Sequence, residues 1–263
     1  MRYELMRPAQ LRTALEESWP AVLPIGVLEY HGEHLPLGVD GLIVAECLAR
    51  LEAEMDLVIL PPFWYGAASY AVEGPEGTGS LHVDAEALVP VARQLLAALL
   101  RVGFRNIHLL IHHQTENFVA GMPTDLAFKL AARQATFAHL ERERGEGWWG
   151  KPEAADYYAQ HATGDDPFNW IRAHPLLTPE AIRSYPFDHA GQGETSFMLE
   201  LCPNTVDMAA LSEGPWYSRT AADASAELGA RGVDLVLEHL RHVLGQARGS
   251  TMPHDDSKQQ LPL

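Results

Sequence analysis

The apolar run Ala21-Val22-Leu23-Pro24-Ile25-Gly26-Val27-Leu28 passes directly into Glu29-Tyr30-His31-Gly32-Glu33-His34-Leu35-Pro36-Leu37-Gly38-Val39-Asp40. The run is short, rich in branched residues and bounded by Pro and Gly. It predicts a strand buried on both faces, as parallel sheets require. Continued as strand, it sets Glu29 and His31 on one face, roughly 6.7 Å apart along the axis. A carboxylate beside an imidazole suits a borderline divalent cation such as Zn or Mn. The Pro and Gly turn that follows lets Asp40 fold back over them, and its two oxygens suit it to bridge cations about 3.5–4 Å apart. The alternative is a polar loop at a strand end with ordinary surface charge.

The rest of the chain repeats the alternation of strand and helix. Pro8 to Ser18 reads as a short helix covering an edge, and Gly41 to Glu54 as a helix with Leu42, Ala45, Leu48 and Leu51 at helical spacing. Asp56 to Pro62 reads as a second strand stopped by prolines, which makes a right-handed parallel unit. Asp84 can cap a helix that turns Leu88, Val91, Leu95 and Leu99 inward and stops near Gly103. Phe104 to Ile111 is a third strand, running into His112-His113-Gln114-Thr115-Glu116-Asn117, and a further helix spans Thr124 to Glu143. Asp188 to Gly193 is a tight turn opening a helix, Glu194 to Leu201, and Thr205 to Leu211 reads as an edge strand. Ser218 to Gln246 holds the last helix, and residues 248–263 are expected to fray. The fold class is therefore α/β, a three-layer and mostly parallel sheet with helices on both faces, in one domain over residues 1–247. Polar clusters at Glu29 to Asp40, Tyr65 to Ser69 and His112 to Asn117 all follow strands, so they converge on the sheet edge where such folds bind ligands.

Composition narrows the partners. With 263 residues and 47% hydrophobic content, a sizeable core is available. A net charge of −16 argues against nucleic acid and anionic membrane surfaces, but carboxylates are what a cation needs. The two cysteines, Cys47 and Cys202, form no metal or redox pattern and predict buried thiols in a reducing compartment. The first residues lack the apolar core of a signal peptide, and no apolar run approaches the ~20 residues of a membrane helix. A cytoplasmic protein acting on a small molecule is expected.

The first stretch, together with Gly77-Thr78-Gly79-Ser80-Leu81 and His189-Ala190-Gly191 followed by Glu194-Thr195-Ser196, resembles the creatininase family of creatinine amidohydrolases. The resemblance spans most of the chain. It implies a metal-dependent hydrolase of doubly wound α/β fold, often hexameric, with two divalent cations per subunit drawn from Zn, Mn and Fe. It implies Glu29, Asp40 and His113 as ligands of one cation, and His31 and Asp40 as ligands of the other. The family completes the second set with a Glu from a His-x-Glu-Asn segment. Here that segment is one residue longer and names Glu116. His112, standing where the family has Gly, is the alternative to His113. His189 matches the catalytic imidazole, Ser69 and Tyr185 match substrate contacts, and Asp188 and Gln114 are counted with them.

A bound divalent cation lowers the pKa of water to about 7 and stabilises the oxyanion that develops at a carbonyl or amidine carbon. His189 would then protonate the leaving group, its tautomer held by Asp188 or by a backbone group, and Glu116 would share that work if it is not a ligand. Glu194, in the first turn of a helix, reads as a carboxylate stabilised by the helix dipole, with a hydrogen bond into the site, or a place in the second ligand set instead of Glu116, left open. Trp148 and Trp149 read equally as a lid over a small ring or as a plug between subunits. Amide C–N hydrolysis leads, with hydrolytic C–C cleavage of a cyclic polyol ketone and a non-catalytic metal-binding protein as the alternatives.

Overall fold

The computed structural model describes residues 1–245. The expected frayed segment, 248–263, lies outside the described residues. Four parallel strands, β1 (Ala21–Ile25), β2 (Val58–Ile59), β3 (Ile107–Ile111) and β4 (Ile171–Pro175), lie in the order β2-β1-β3-β4. Ile25 pairs with Ile111, and Ile111 with Pro175, so the carboxyl ends of three strands are flush. Whatever follows them in sequence emerges on one edge.

Side-chain alternation sends the residues of β1 and β3 to two faces of the sheet. Val22 and Leu110 face a layer made by α2 (Val39–Leu51), α7 (Gln192–Leu201) and α8 (Ala226–Gly245). Leu23, Ile25, Leu109 and Ile111 face α1 (Pro8–Glu16), α3 (Ala85–Val102) and α4 (Pro123–Arg144). Side chains such as Ile25, Ile107, Phe128 and Phe197 are fully buried, each worth about 1.5–3 kcal/mol of transfer free energy. Two shorter helices, α5 (Tyr157–Thr163) and α6 (Pro179–Ile182), flank β4 in sequence.

Several boundaries differ from the sequence expectation. β1 ends at Ile25 rather than Leu28, because Gly26 lies against the start of α2, where a side chain would collide with the Gly41 amide. Glu29 and His31 therefore sit on a loop and not on alternate positions of a strand. That loop is pinned: the Glu29 N–H donates to the Leu37 carbonyl at 3.0 Å, and the Tyr30 N–H to Ser80 Oγ at 2.9 Å. The Leu81 N–H donates to the Leu28 carbonyl at 2.9 Å, so Gly77 to Leu81 is a clamp on the ligand loop. Helix α2 starts at Val39, which places Asp40 in its first turn. In α3, Val91 faces solvent while Leu88, Leu96 and Leu99 point inward, and the Asp84 carboxylate pairs with His82 instead of capping the helix. The expected edge strand at Thr205 to Leu211 is instead two 3-10 turns, and the fourth strand is β4.

Candidate metal centre and active site

Loop Gly26 to Gly38, the start of α2, the turn after β3 and the start of α7 meet at the flush strand ends. They bring together overlapping triads whose ligand-type atoms lie within 4.8 Å of one another. One is Glu29, Asp40 and His113; another is His31, Asp40 and Glu194; a third is Glu29, His31 and His189. Asp40 belongs to the first two. Each carboxylate in a helix first turn, Asp40 on α2 and Glu194 on α7, also meets a favourable helix dipole.

The donor set tests whether a cation fits. The ring Nδ1–H of His31 donates to the Glu29 carbonyl at 2.8 Å, which leaves Nε2 with the lone pair. That Nε2 is buried without a hydrogen-bond partner among the described residues, 3.6 Å from Asp40 Oδ1 and 3.5 Å from Glu194 Oε2. His113 Nδ1 lies 3.1 Å from Asp40 Oδ2 and 3.7 Å from Glu29 Oε2. Lone pairs so arranged face lone pairs, and either a proton or a cation must stand between them. Nitrogen and oxygen donors in this mixture suit Zn or Mn.

Protons take that place when no cation does. Burial disfavours the His31 cation, but Glu194 and Asp40 outweigh it and raise the pKa to about 10. His113 is raised by Asp40 and Glu29 against the same burial cost. Asp40, despite burial, is held well below the usual carboxylate range by His113 and His31. Glu29 goes the other way: burial pushes it up to about 7, only partly countered by His113.

His189 occupies the wall between the triads and solvent. Its ring packs on that of His31 with centroids 4.3 Å apart, and Tyr217 meets it edge-on at 5.1 Å. Nε2 lies 3.0 Å from the Tyr30 carbonyl, so a backbone group holds the tautomer and Nδ1 faces Glu29 Oε2 at 3.8 Å. Asp188 has a different task. It accepts the N–H groups of Gly193 and Glu194 at 2.8 and 3.2 Å and so shapes the start of α7. Burial and the neighbouring His31 lower the pKa of His189, leaving a neutral base at pH 7.

A cavity of about 380 Å³ opens onto these groups. Besides Glu29, Asp40 and His113, its lining includes Ser69, Gln114, Asp188, His189 and Glu194. Ser69 and Gln114 have φ of +62° and +51°, and Ala190, at +54°, donates its N–H to Glu194 Oε2 at 2.6 Å. Left-handed non-glycine residues cost about 1–3 kcal/mol each and collect at functional sites.

Two of the expected site residues stand apart from the triads. Glu116 is exposed on the cavity rim, on a 3-10 turn, and no ligand triad among the described residues includes it. Glu194, read from sequence as a helix-dipole carboxylate and as the alternative to Glu116, stands beside His31 and Asp40. Tyr185 is buried and its hydroxyl donates to the Gly193 carbonyl at 2.9 Å, so it packs under α7 and does not line the cavity. Phe187 is the aromatic residue that does. Trp148 and Trp149 line a separate hollow with Phe137, Tyr157 and Phe168, away from the centre.

A parallel α/β sandwich with a carboxylate and imidazole centre at its strand ends is the frame of a metal-dependent hydrolase. The family profile for creatininase, creatinine amidohydrolase, matches residues 4–244, and the chain belongs to that family. Creatinine amidohydrolase from Pseudomonas putida is 25% identical over 199 residues, covering 74% of this chain and 68% of that protein. A 3-dehydro-scyllo-inosose hydrolase from Thermotoga maritima is 26% identical over 201 residues, covering 76% of this chain and 56% of that protein. Among solved structures, a manganese creatininase superposes with a TM-score of 0.68 at 18% identity, over 93% of this chain and 99% of that one.

Proposed function

We propose that the protein hydrolyses a C–N bond in a small, cyclic amide or a related formamide. Two divalent cations would be held by Glu29, Asp40 and His113 and by His31, Asp40 and Glu194. The observation that carries the reading is Asp40, shared by two ligand triads with the neutral base His189 beside them. Cations held there supply Lewis acidity and bring the pKa of water to near neutrality.

The chain's own residues do the rest. His189 takes the proton of the attacking water at Nδ1, while the Tyr30 carbonyl keeps Nε2–H in place. Water oxygen bonds to the carbonyl carbon, the C–N bond breaks, and Nδ1 returns its proton to the leaving nitrogen, giving a carboxylic acid and an amine that leave as carboxylate and ammonium. Ser69 and Gln114 supply polar contacts on the cavity wall, and Ala68, Val72 and Phe187 supply its apolar part. The lining has no Lys or Arg among the described residues but carries Glu116 and Asp188 beyond the ligands. A neutral or cationic substrate suits it better than an anionic one. A panel of cyclic amides and formamides offered to the metal-loaded protein tests the reading by amine or ammonia release.

C–C hydrolysis of a cyclic polyol ketone is the second reading. It is supported by the Thermotoga relative and by the His112 and Gln114 side chains in the cavity wall. A nitrogen-free acid product separates it from the first. The half-exposed Phe137 and Trp149 and the exposed Tyr158 support a homo-oligomer, hexameric by family resemblance, which light scattering tests. Among the described residues no helix is long and apolar enough to cross a membrane, and the free Cys47 and Cys202 suit the cytoplasm.

A further inference from the structure

Beside the second triad stands a buried imidazole. His112 follows β3, its N–H extending the ladder to the Ile25 carbonyl at 3.1 Å, and its ring is 3% exposed. Neither ring nitrogen has a hydrogen-bond partner among the described residues. A buried polar atom left unpaired costs about 1–3 kcal/mol, so two on one ring ask for a reason. Nε2 points at Glu194 Oε1 across 3.5 Å. The other oxygen of that carboxylate, Oε2, takes the Ala190 N–H and faces His31. No ligand triad among the described residues includes His112.

We propose that His112 is a positioning residue for Glu194, its Nε2–H holding Oε1 so that Oε2 is presented to the second cation. The inference rests on the metal-dependent reading above. A carboxylate that binds a cation through one oxygen has a second that needs a donor. Without one it swings or turns bidentate, and affinity falls. Opposing this carboxylate are His31 from the ligand loop, the Ala190 N–H from the turn before α7, and His112 from β3. Among the described residues His112 alone meets Oε1. It is also the member that is neither a ligand nor backbone, and so the one that can be altered without dismantling the site.

The test titrates Mn²⁺ alone into metal-stripped full-length protein by calorimetry, for the unaltered chain, His112→Ala and His112→Gln. Circular dichroism checks that each is folded. The unaltered chain takes up two cations. His112→Ala keeps the first affinity and loses about ten- to a hundred-fold at the second. His112→Gln, whose amide N–H reaches the same oxygen, recovers most of it. Unchanged binding in His112→Ala, equal weakening of both sites, or no recovery in His112→Gln overturns the assignment. A protein that takes up no cation even when unaltered overturns the parent reading, and this one with it.

Discussion

Metal uptake should release protons, and the number follows from the geometry. In the metal-free protein His31, with a pKa of about 10, is charged at pH 7, and Glu29, at about 7, is half protonated. Binding requires both to give up their protons, which yields about 1.5 protons at pH 7, and His113, raised by Asp40 and Glu29, adds up to about one more. Affinity therefore climbs as pH rises from 6, by about tenfold per pH unit for each proton displaced, and flattens only near pH 10. The same shifts set the stability of the metal-free form. His31 and Glu29 are both raised above their unfolded values. Their contributions are full below about 6.5 and 4.5 and are lost as pH rises through about 10 and 7. The metal-free unfolding midpoint falls from pH 7 to pH 10. Calorimetry in buffers of different ionisation enthalpy counts the protons, and His31→Gln removes about one of them. No proton release at pH 7, or affinity flat between pH 6 and pH 8, would refute the arrangement of lone pairs described here.

His189→Ala should keep both cations by elemental analysis and lose about 10²–10⁴-fold in kcat, whereas His31→Ala loses cation and turnover together. Retained turnover in His189→Ala removes the proposed proton carrier. Glu194→Gln should bind one cation and Glu116→Gln two, and the reverse pattern restores Glu116 as the ligand. Tyr185→Phe should leave KM within about twofold but lower stability by about 1 kcal/mol, measured by urea unfolding, because it loses the bond to the Gly193 carbonyl.

Three of the ligands that the sequence suggests lie within a dozen residues, and a fourth lies beyond the next long strand. Glu29, His31 and Asp40 follow a strand whose apolar pattern is unmistakable, and His113 follows another. Flush parallel strands then bring these ends together whatever the exact boundary, which is why β1 can stop at Ile25 without scattering them. Sequence leaves Glu116 and Glu194 as alternatives for the second site, because a first-turn carboxylate already has a local explanation in the helix dipole and the approach of Glu194 to His31 depends on how α7 docks. Tyr185 shows the converse. Motif position suggested a substrate contact, but packing under α7 and a carbonyl partner claim its ring and hydroxyl. Strand β4 has a weak signal: Ile171, Ala173 and Pro175 alternate with Arg172 and His174, but Ile171 is its only large aliphatic side chain and the strand ends on a proline. It earns its place by pairing with β3, a long-range contact that periodicity does not register.

Diffraction from crystals soaked in Mn²⁺, recorded at the manganese edge, would put the two-cation centre to its most direct test. Two anomalous peaks about 3.5–4 Å apart, with Asp40 between them and His113 and Glu194 on opposite sides, are the expected result. A cavity without a peak, or a cation held at Glu116 away from Asp40, would contradict it.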